Sequence, residues 1–197
     1  MSLALDAAAQ DLLFREAQTA NTFTDEPVTD EQIQAIYDLV KFAPTAFNQS
    51  PLRITLVRSQ EARERLVKHA MGANGPKTLT APLAIVLSAD LDFHEKLPRL
   101  FPHAPGVKDA YFSELAVREV AGMQNATLQA GYFILGIRAA GLAAGPMTGF
   151  DFGALDKEFF GDGKQKSFMV INVGKPGEDA FFPRSPRLEA NEAIATI

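Results

Sequence analysis

The chain contains no cysteine. That removes disulfides, thiolate nucleophiles and cysteine-ligated metals together, and it suits a cytoplasmic location. No apolar run approaches the 18 or more residues of a membrane-spanning helix. The N-terminal stretch MSLALDAAAQDLLFREAQ has no basic region and carries Asp6 and Asp11, so no signal peptide is expected. Positive charge is scarce too. Nineteen Lys and Arg against 24 Asp and Glu leave a net charge of −5. General nucleic-acid binding needs a basic face, so neither nucleic acid nor membrane is an expected partner. A local pair of cations could still hold one phosphate.

Of the 197 residues, 47% are apolar and 22% charged. This composition supports a sizeable core, and the length fits a single domain spanning 1–197. The pattern predicts a helix over 3–20. Val28–Ile33 predicts a second helix start, with Thr29 and Gln32 at capping-box spacing and Val28 and Ile33 as a hydrophobic staple. Pro44 is expected to end it. Residues 53–58 and 167–174 read as strands, and 60–71 and 152–160 as helices. The nearly all-apolar 83–89 reads as a strand buried on both faces. The longest helical pattern is 113–140, apolar nearly all round, with Gly141 as its C-cap. Gly122, Gly131 and Gly136 within it suggest close helix packing. Such a helix fits a monomer's core or a subunit interface equally well. The class is α+β, with three layers.

Side-chain chemistry is hard to find. Gly72–Thr78 has a faint likeness to a phosphate loop, but the glycine spacing is wrong, Pro76 follows Gly75 directly, and the stretch follows a helix. There is no G-x-G-x-x-G after a strand and no G-x-S-x-G. His69, His94 and His103 form no H-x-x-x-H. His69 is expected at the surface. His94 and His103 lie near Asp92 and Glu95, where a solvated loop is a simpler reading than a metal site. Asp90 and Asp92 could form an acid/base pair or serve as turn residues.

What remains is a set of dispersed segments rich in neutral donors and acceptors. Gln18–Asn21 could be a frayed helix end. Ala43–Ser50 holds many uncharged hydrogen-bonding groups. Asn74 and Lys77 sit in an expected loop, and Gly145–Asp151 reads as a turn. Phe182–Leu188 holds Arg184 and Arg187 between prolines, as a stiff extended segment or a solvated tail. Together they suit a flat, polar-edged cofactor with a phosphate tail, such as FMN. Arginines would take the phosphate. The cofactor would carry the chemistry, so the protein would need no catalytic dyad.

Several ordered segments carry a resemblance: FREAQTANTF, EPVTDEQIQAIYDLVKFAPTAFNQSP, KTLTAP, KLPRLFPH, ATLQAGYFILGIRAAGLAAGPMTGFD and FPRSPRL. Over almost its whole length the chain resembles the flavin-dependent nitroreductases. The likeness is greatest to the branch named for malonic semialdehyde reduction and for NADH dehydrogenase/NAD(P)H nitroreductase. The resemblance implies a three-layer α/β/α fold, with a mostly antiparallel sheet of four or five strands. It implies a homodimer built on the long helix, with one FMN at each of two interfaces and a C-terminal extension crossing to the partner.

By the same resemblance, Gln18, Thr19 and Asn21 belong to an N-terminal flavin segment. Pro44, Thr45, Ala46 and Asn48 reach the flavin from the other subunit. Asn74 and Lys77 bond the ring edge. Pro146, Met147, Thr148 and Gly149 lie over the ring with a backbone N–H facing N5, and Arg184 and Arg187 hold the phosphate. The implied activity is ping-pong hydride transfer from NADH or NADPH to a small aldehyde such as malonic semialdehyde, giving 3-hydroxypropionate. Nitroaromatics or quinones are alternative acceptors. A non-catalytic flavin-binding protein and an enzyme that dismantles flavin are the readings from other classes. Gln18 and Ala20 depart from the family, standing where relatives often carry Arg or His. Leu52 also departs, replacing a common Trp, whereas SPLR and KLPRLFPH follow the semialdehyde branch.

Overall fold

The centre of the molecule is β2, Leu83–Asp90, whose eight residues are all buried. Its sequence LAIVLSAD is β-branched and apolar on both faces, as a strand covered on both sides requires. β1 (Leu52–Val57) lies antiparallel on one side of it and β4 (Gln165–Gly174) on the other. β3 (Ala143–Met147) pairs with the far edge of β4, giving the order β1-β2-β4-β3. A computed structural model describes residues 3–197.

Helices cover both faces. In chain order they are α1 (Ala7–Gln10), α2 (Asp30–Val40), α3 (Gln60–Val67), α4 (Asn74–Thr80), α5 (Leu97–Leu100), α6 (Val107–Tyr111), α7 (Leu115–Ala139), α8 (Phe152–Phe159) and α9 (Ala190–Ala193). One core packs Ile33 and Ile36 of α2 and Phe133 and Ile137 of α7 onto Leu83, Ile85 and Leu87. The other packs Leu66 of α3 and Leu155 of α8 onto Ala84, Val86 and Val170. The alternation along β2 thus serves both layers. This is the expected α+β three-layer arrangement with four strands.

The α2 capping box is present: Thr29 Oγ1 accepts from Gln32 N, and Gln32 Oε1 accepts from Thr29 N. The helix stops at Val40, short of Pro44. The long helix ends as expected, with Gly141 at φ +73° and Leu142 N donating to Ile137 O. A Cβ on Gly136 would lie 2.5 Å from Val40 Cγ1, so α2 and α7 do pack closely there. Gly131 has nothing within 4 Å and serves no such contact. No helix among the described residues is long and apolar enough to cross a membrane.

Four expectations need correction. The N-terminal helix is broken: α1 has one turn, and Asp11–Arg15 widens into a π turn closed by Glu16 N donating to Asp11 O. The chain then runs as a strap, with Ala20 N bonded to Ala144 O and Asn21 N to Ala180 O, bonds a helix to residue 20 would forbid. Asn74 and Lys77 lie on α4 rather than in a loop. Residues 145–147 form the end of edge strand β3 rather than a turn, because β4 offers them a full register of partners. Lastly, α3 ends at Val67, well before residue 71.

Candidate functional site

The strap after the π turn is fixed by closeness to β3. A Cβ on Gly145 would sit 2.5 Å from Ala20 O, so only glycine lets the two backbones meet. This places Gln18, Thr19 and Asn21 beside the end of the sheet. Lys77 then reaches from α4, and its Nζ donates to Asn21 Oδ1 at 2.6 Å. One turn earlier on α4, Asn74 Nδ2 donates to Gly149 O at 3.0 Å. Gly149 O also accepts from Met71 N at 2.9 Å. A Cβ on Gly149 would meet Asn74 Nδ2 at 2.5 Å. Pro146 and Met147 end β3, and Thr148 continues it toward Gly149.

The other wall is the extended C-terminal segment. A groove of about 240 Å³ is lined by Gln18, Thr19, Asn21, Phe182, Pro183, Arg184, Ser185 and Arg187. It holds two arginines and no carboxylate. Arg184 uses one donor on Ala17 O, and Arg187 folds back on the Ser185 and Pro186 carbonyls. Both side chains stay exposed, with other donors free to turn into the groove. The Phe182 ring lies 5.9 Å from Lys77 Nζ. Gln18, Thr19, Asn21, Arg184 and Arg187 thus line one groove, and Lys77, bonded to Asn21, links it to α4, where Asn74 holds Gly149.

The donor set fits a flavin mononucleotide. Two arginines without an opposing acid suit its phosphate. An ammonium and two amides suit the polar edge of its ring.

Pro44, Thr45, Ala46 and Asn48 lie elsewhere. Thr45 Oγ1 accepts from Ser50 N, Ala46 N donates to Asn125 Oδ1, and Asn48 Nδ2 donates to Leu100 O. No hydrogen bond among the described residues joins them to the Lys77–Asn21 pair. Their polar side chains are used within their own chain. Phe47, Asn48 and Ser50 all have positive φ, between 44° and 52°. Such strain in non-glycine residues persists only where the surroundings enforce it. Here Phe47 is packed against Phe101, Tyr111 and Phe112.

The acid/base and metal alternatives lose their geometry. Asp90 is buried and ion-paired with Arg53 and Lys96, and it accepts from Asp92 N. Burial pushes its pKa up, but the Lys96 hydrogen bond and the Arg53 charge outweigh this and hold it below the usual value. It is a structural carboxylate. His94 is buried, and burial first, then the Arg118 charge, lowers its pKa, favouring neutral imidazole. His69 is not the free surface residue expected. Its ring is largely covered, and Nε2 lies 2.6 Å from Glu158 Oε2. No group of three or more metal-capable side chains occurs among the described residues.

Two supporting residues escaped the sequence reading. Asn125 anchors Ala46, and Gln129 accepts from Leu52 N, both from inside α7. Their signal was present: the centre of α7 carries the amides Gln124, Asn125 and Gln129, and those that are buried must find partners.

Residues 15–175 match the model of the nitroreductase family. The chain belongs to this family. A family member from Streptomyces coelicolor, provisionally named NADH dehydrogenase/NAD(P)H nitroreductase, is 68% identical over the full length of both chains. A provisionally named counterpart from Caulobacter sp. is 46% identical, covering 98% of each chain. Among solved structures, a nitroreductase of Bacillus subtilis, also provisionally named, superposes with a TM-score of 0.87 at 23% identity, covering 98% of this chain and 100% of its own. One from Exiguobacterium sibiricum, solved in complex with FMN, gives 0.85 at 19%, covering 100% and 99%. These establish the nitroreductase fold.

Proposed function

We propose that the chain is an FMN-dependent NAD(P)H oxidoreductase working by a ping-pong scheme, with malonic semialdehyde as the first candidate acceptor. The observation that carries this is the acid-free groove of Arg184 and Arg187, running into the Lys77, Asn21, Asn74 and Gly149 cluster. Bound FMN supplies the hydride chemistry, which no side-chain dyad here provides. Arg184 and Arg187 hold its phosphate. Lys77, with Asn21 and Asn74, binds the polar edge of the ring, and the Lys77 charge favours electron density there. Pro146, Met147, Thr148 and Gly149 give the ring a small, uncharged platform. Gln18 and Thr19 line the phosphate end without adding charge.

We read residues 1–197 as one domain and the working unit as a homodimer. An apolar groove of about 440 Å³, lined by Leu13, Leu39, Phe42, Pro44 and Tyr132 among others, runs between α2 and α7. Exposed Leu115, Val117, Val120 and Leu128 extend the apolar surface along α7. A second copy set against this face would bring its Thr45, Ala46 and Asn48 segment toward the flavin, which one chain alone does not do. The location consistent with this chemistry and the lack of cysteine is the cytoplasm.

A second acceptor class has its own support. The partly exposed rings of Phe47 and Tyr111 form an aromatic shelf beside that segment, which favours a flat quinone or nitroarene. The test is spectroscopic. The purified protein should be yellow, bleach anaerobically with NADH or NADPH, and recolour with malonic semialdehyde, a quinone or a nitroarene. A colourless protein whose absorbance and melting temperature ignore added FMN would overturn the reading. Bleaching without recolouring by any acceptor would leave a flavin-binding protein.

A further inference from the structure

Behind the strap that carries Gln18 lies a second, larger cavity of about 530 Å³. It shares Gln18 and Arg184 with the groove described above, and none of its other walls. The π turn roofs it, and the junction of α7 with β3 forms its floor.

Arg138, from the last turn of α7, is the group that needs explaining. It is only 8% exposed. Its Nε donates to Leu12 O at 2.7 Å. Its two Nη atoms have no hydrogen-bond or ion-pair partner among the described residues. They are not sealed inside the protein but open onto the cavity, where a bound anion would meet them as donors. Two further cations, Arg15 and Arg184, line the same cavity, against one acid, Glu16. Arg15 is partly spent on Asp11 at 2.8 Å. Three guanidiniums and one carboxylate leave a local surplus suited to a dianion, and forked donors match phosphate oxygens. The remaining wall is apolar: Leu12, Leu142 and Phe181. The volume falls in the range of small-molecule sites, roughly 300–1,000 Å³.

We propose that this cavity is a second anion site, separate from the flavin-phosphate groove, which binds a phosphate monoester carried on an apolar body, with Arg138 at its base. The proposal rests on the flavin reading only in assigning the neighbouring groove to FMN. Arg184 borders both sites, so occupancy of one is felt at the other. The monoester has two sources: the 2′-phosphate of a nicotinamide coenzyme, or a free phosphorylated metabolite.

Calorimetric titration of the FMN-saturated protein at low salt decides the matter. The probes are phenyl phosphate and adenosine 2′,5′-bisphosphate, with inorganic phosphate as the baseline. The expected result is saturable binding of one probe molecule per chain, tighter than inorganic phosphate. Arg138→Gln should weaken it roughly tenfold, with Arg138→Lys intermediate. Arg15→Gln, on an exposed side chain that does not threaten folding, should weaken it severalfold. Tighter binding of the bisphosphate, competitive with NADPH, assigns the coenzyme; preference for phenyl phosphate assigns a metabolite. Three results would each overturn the site: no saturation by either probe, an affinity unchanged in Arg15→Gln, or one-for-one displacement of FMN. A protein that takes up no FMN fails the flavin reading separately, and the same titration of that protein still judges the cavity.

Discussion

Lys77 Nζ donates to Asn21 Oδ1 at 2.6 Å, joining α4 to the strap after the π turn. The bond is charge-assisted and partly buried. Replacing Lys77 with Met removes the charge while keeping much of the length. Hydrogen bonds to charged groups contribute roughly 1.5–3 kcal/mol. Lys77→Met should therefore raise the FMN dissociation constant roughly ten- to a hundredfold in a fluorescence titration. An affinity within twofold of the parent would remove Lys77 from the site.

Gly149 should tolerate no side chain without loss of cofactor affinity. An added Cβ lies 2.5 Å from Asn74 Nδ2, the far end of a movable side chain. Asn74 can swing away, so the melting temperature of Gly149→Ala should fall only slightly. The swing breaks the Asn74–Gly149 hydrogen bond and misplaces the amide. Flavin affinity should drop by roughly tenfold while stability drops by about 1 kcal/mol. A flavin affinity unchanged in Gly149→Ala would point to a purely structural role.

The arginines of the tail act together. Arg184→Ala with Arg187→Ala should leave a folded protein, since both side chains are exposed and bond only nearby carbonyls. It should lose flavin on gel filtration where the parent retains it. Riboflavin, which lacks the phosphate, should bind both proteins alike. Equal retention of FMN by the variant would refute the phosphate role.

Asp90 should set part of the acid sensitivity of the fold. Its pKa is held below the usual value in the folded protein, above all by the Lys96 hydrogen bond and the Arg53 charge working against burial. A depressed folded pKa means stability that is present above the unfolded value, about 3.9, and lost as pH falls through the folded one. At pH 7, Asp90→Asn should be less stable by about 1–3 kcal/mol, since it leaves two cations without their acceptor. The gap should close below pH ~3.9 in urea titrations. A gap independent of pH would show that packing, not charge, is at stake.

Much of this fold was legible because its strongest signals are local. The Thr29–Gln32 cap, the all-buried β2 and the Gly141 terminus each rest on a few adjacent residues. The π turn and β3 were not legible, because their causes are distant. Ala20 must leave helix to meet Ala144, and 145–147 become strand because β4 lies beside them. The site shows the same division. Arg184 and Arg187 could be noticed as a pair, but only tertiary structure sets Lys77 on Asn21. Arg138 gave no signal, since an arginine at a helix C-terminus ordinarily reads as a surface cation near the helix dipole.

Three residues between α2 and β1 also have a thermodynamic meaning. Phe47, Asn48 and Ser50 hold left-handed backbone where glycine would fit with less strain. Using larger residues narrows the unfolded ensemble, and the Phe47 ring and the Asn48 amide lock the folded one. The segment is therefore rigid before anything docks against it. Little rotational freedom is left to freeze on association, so ligand contact there should carry an unusually small entropy penalty. Substitution to glycine at 48, which keeps the Phe47 ring, should worsen the binding entropy more than the enthalpy in calorimetry.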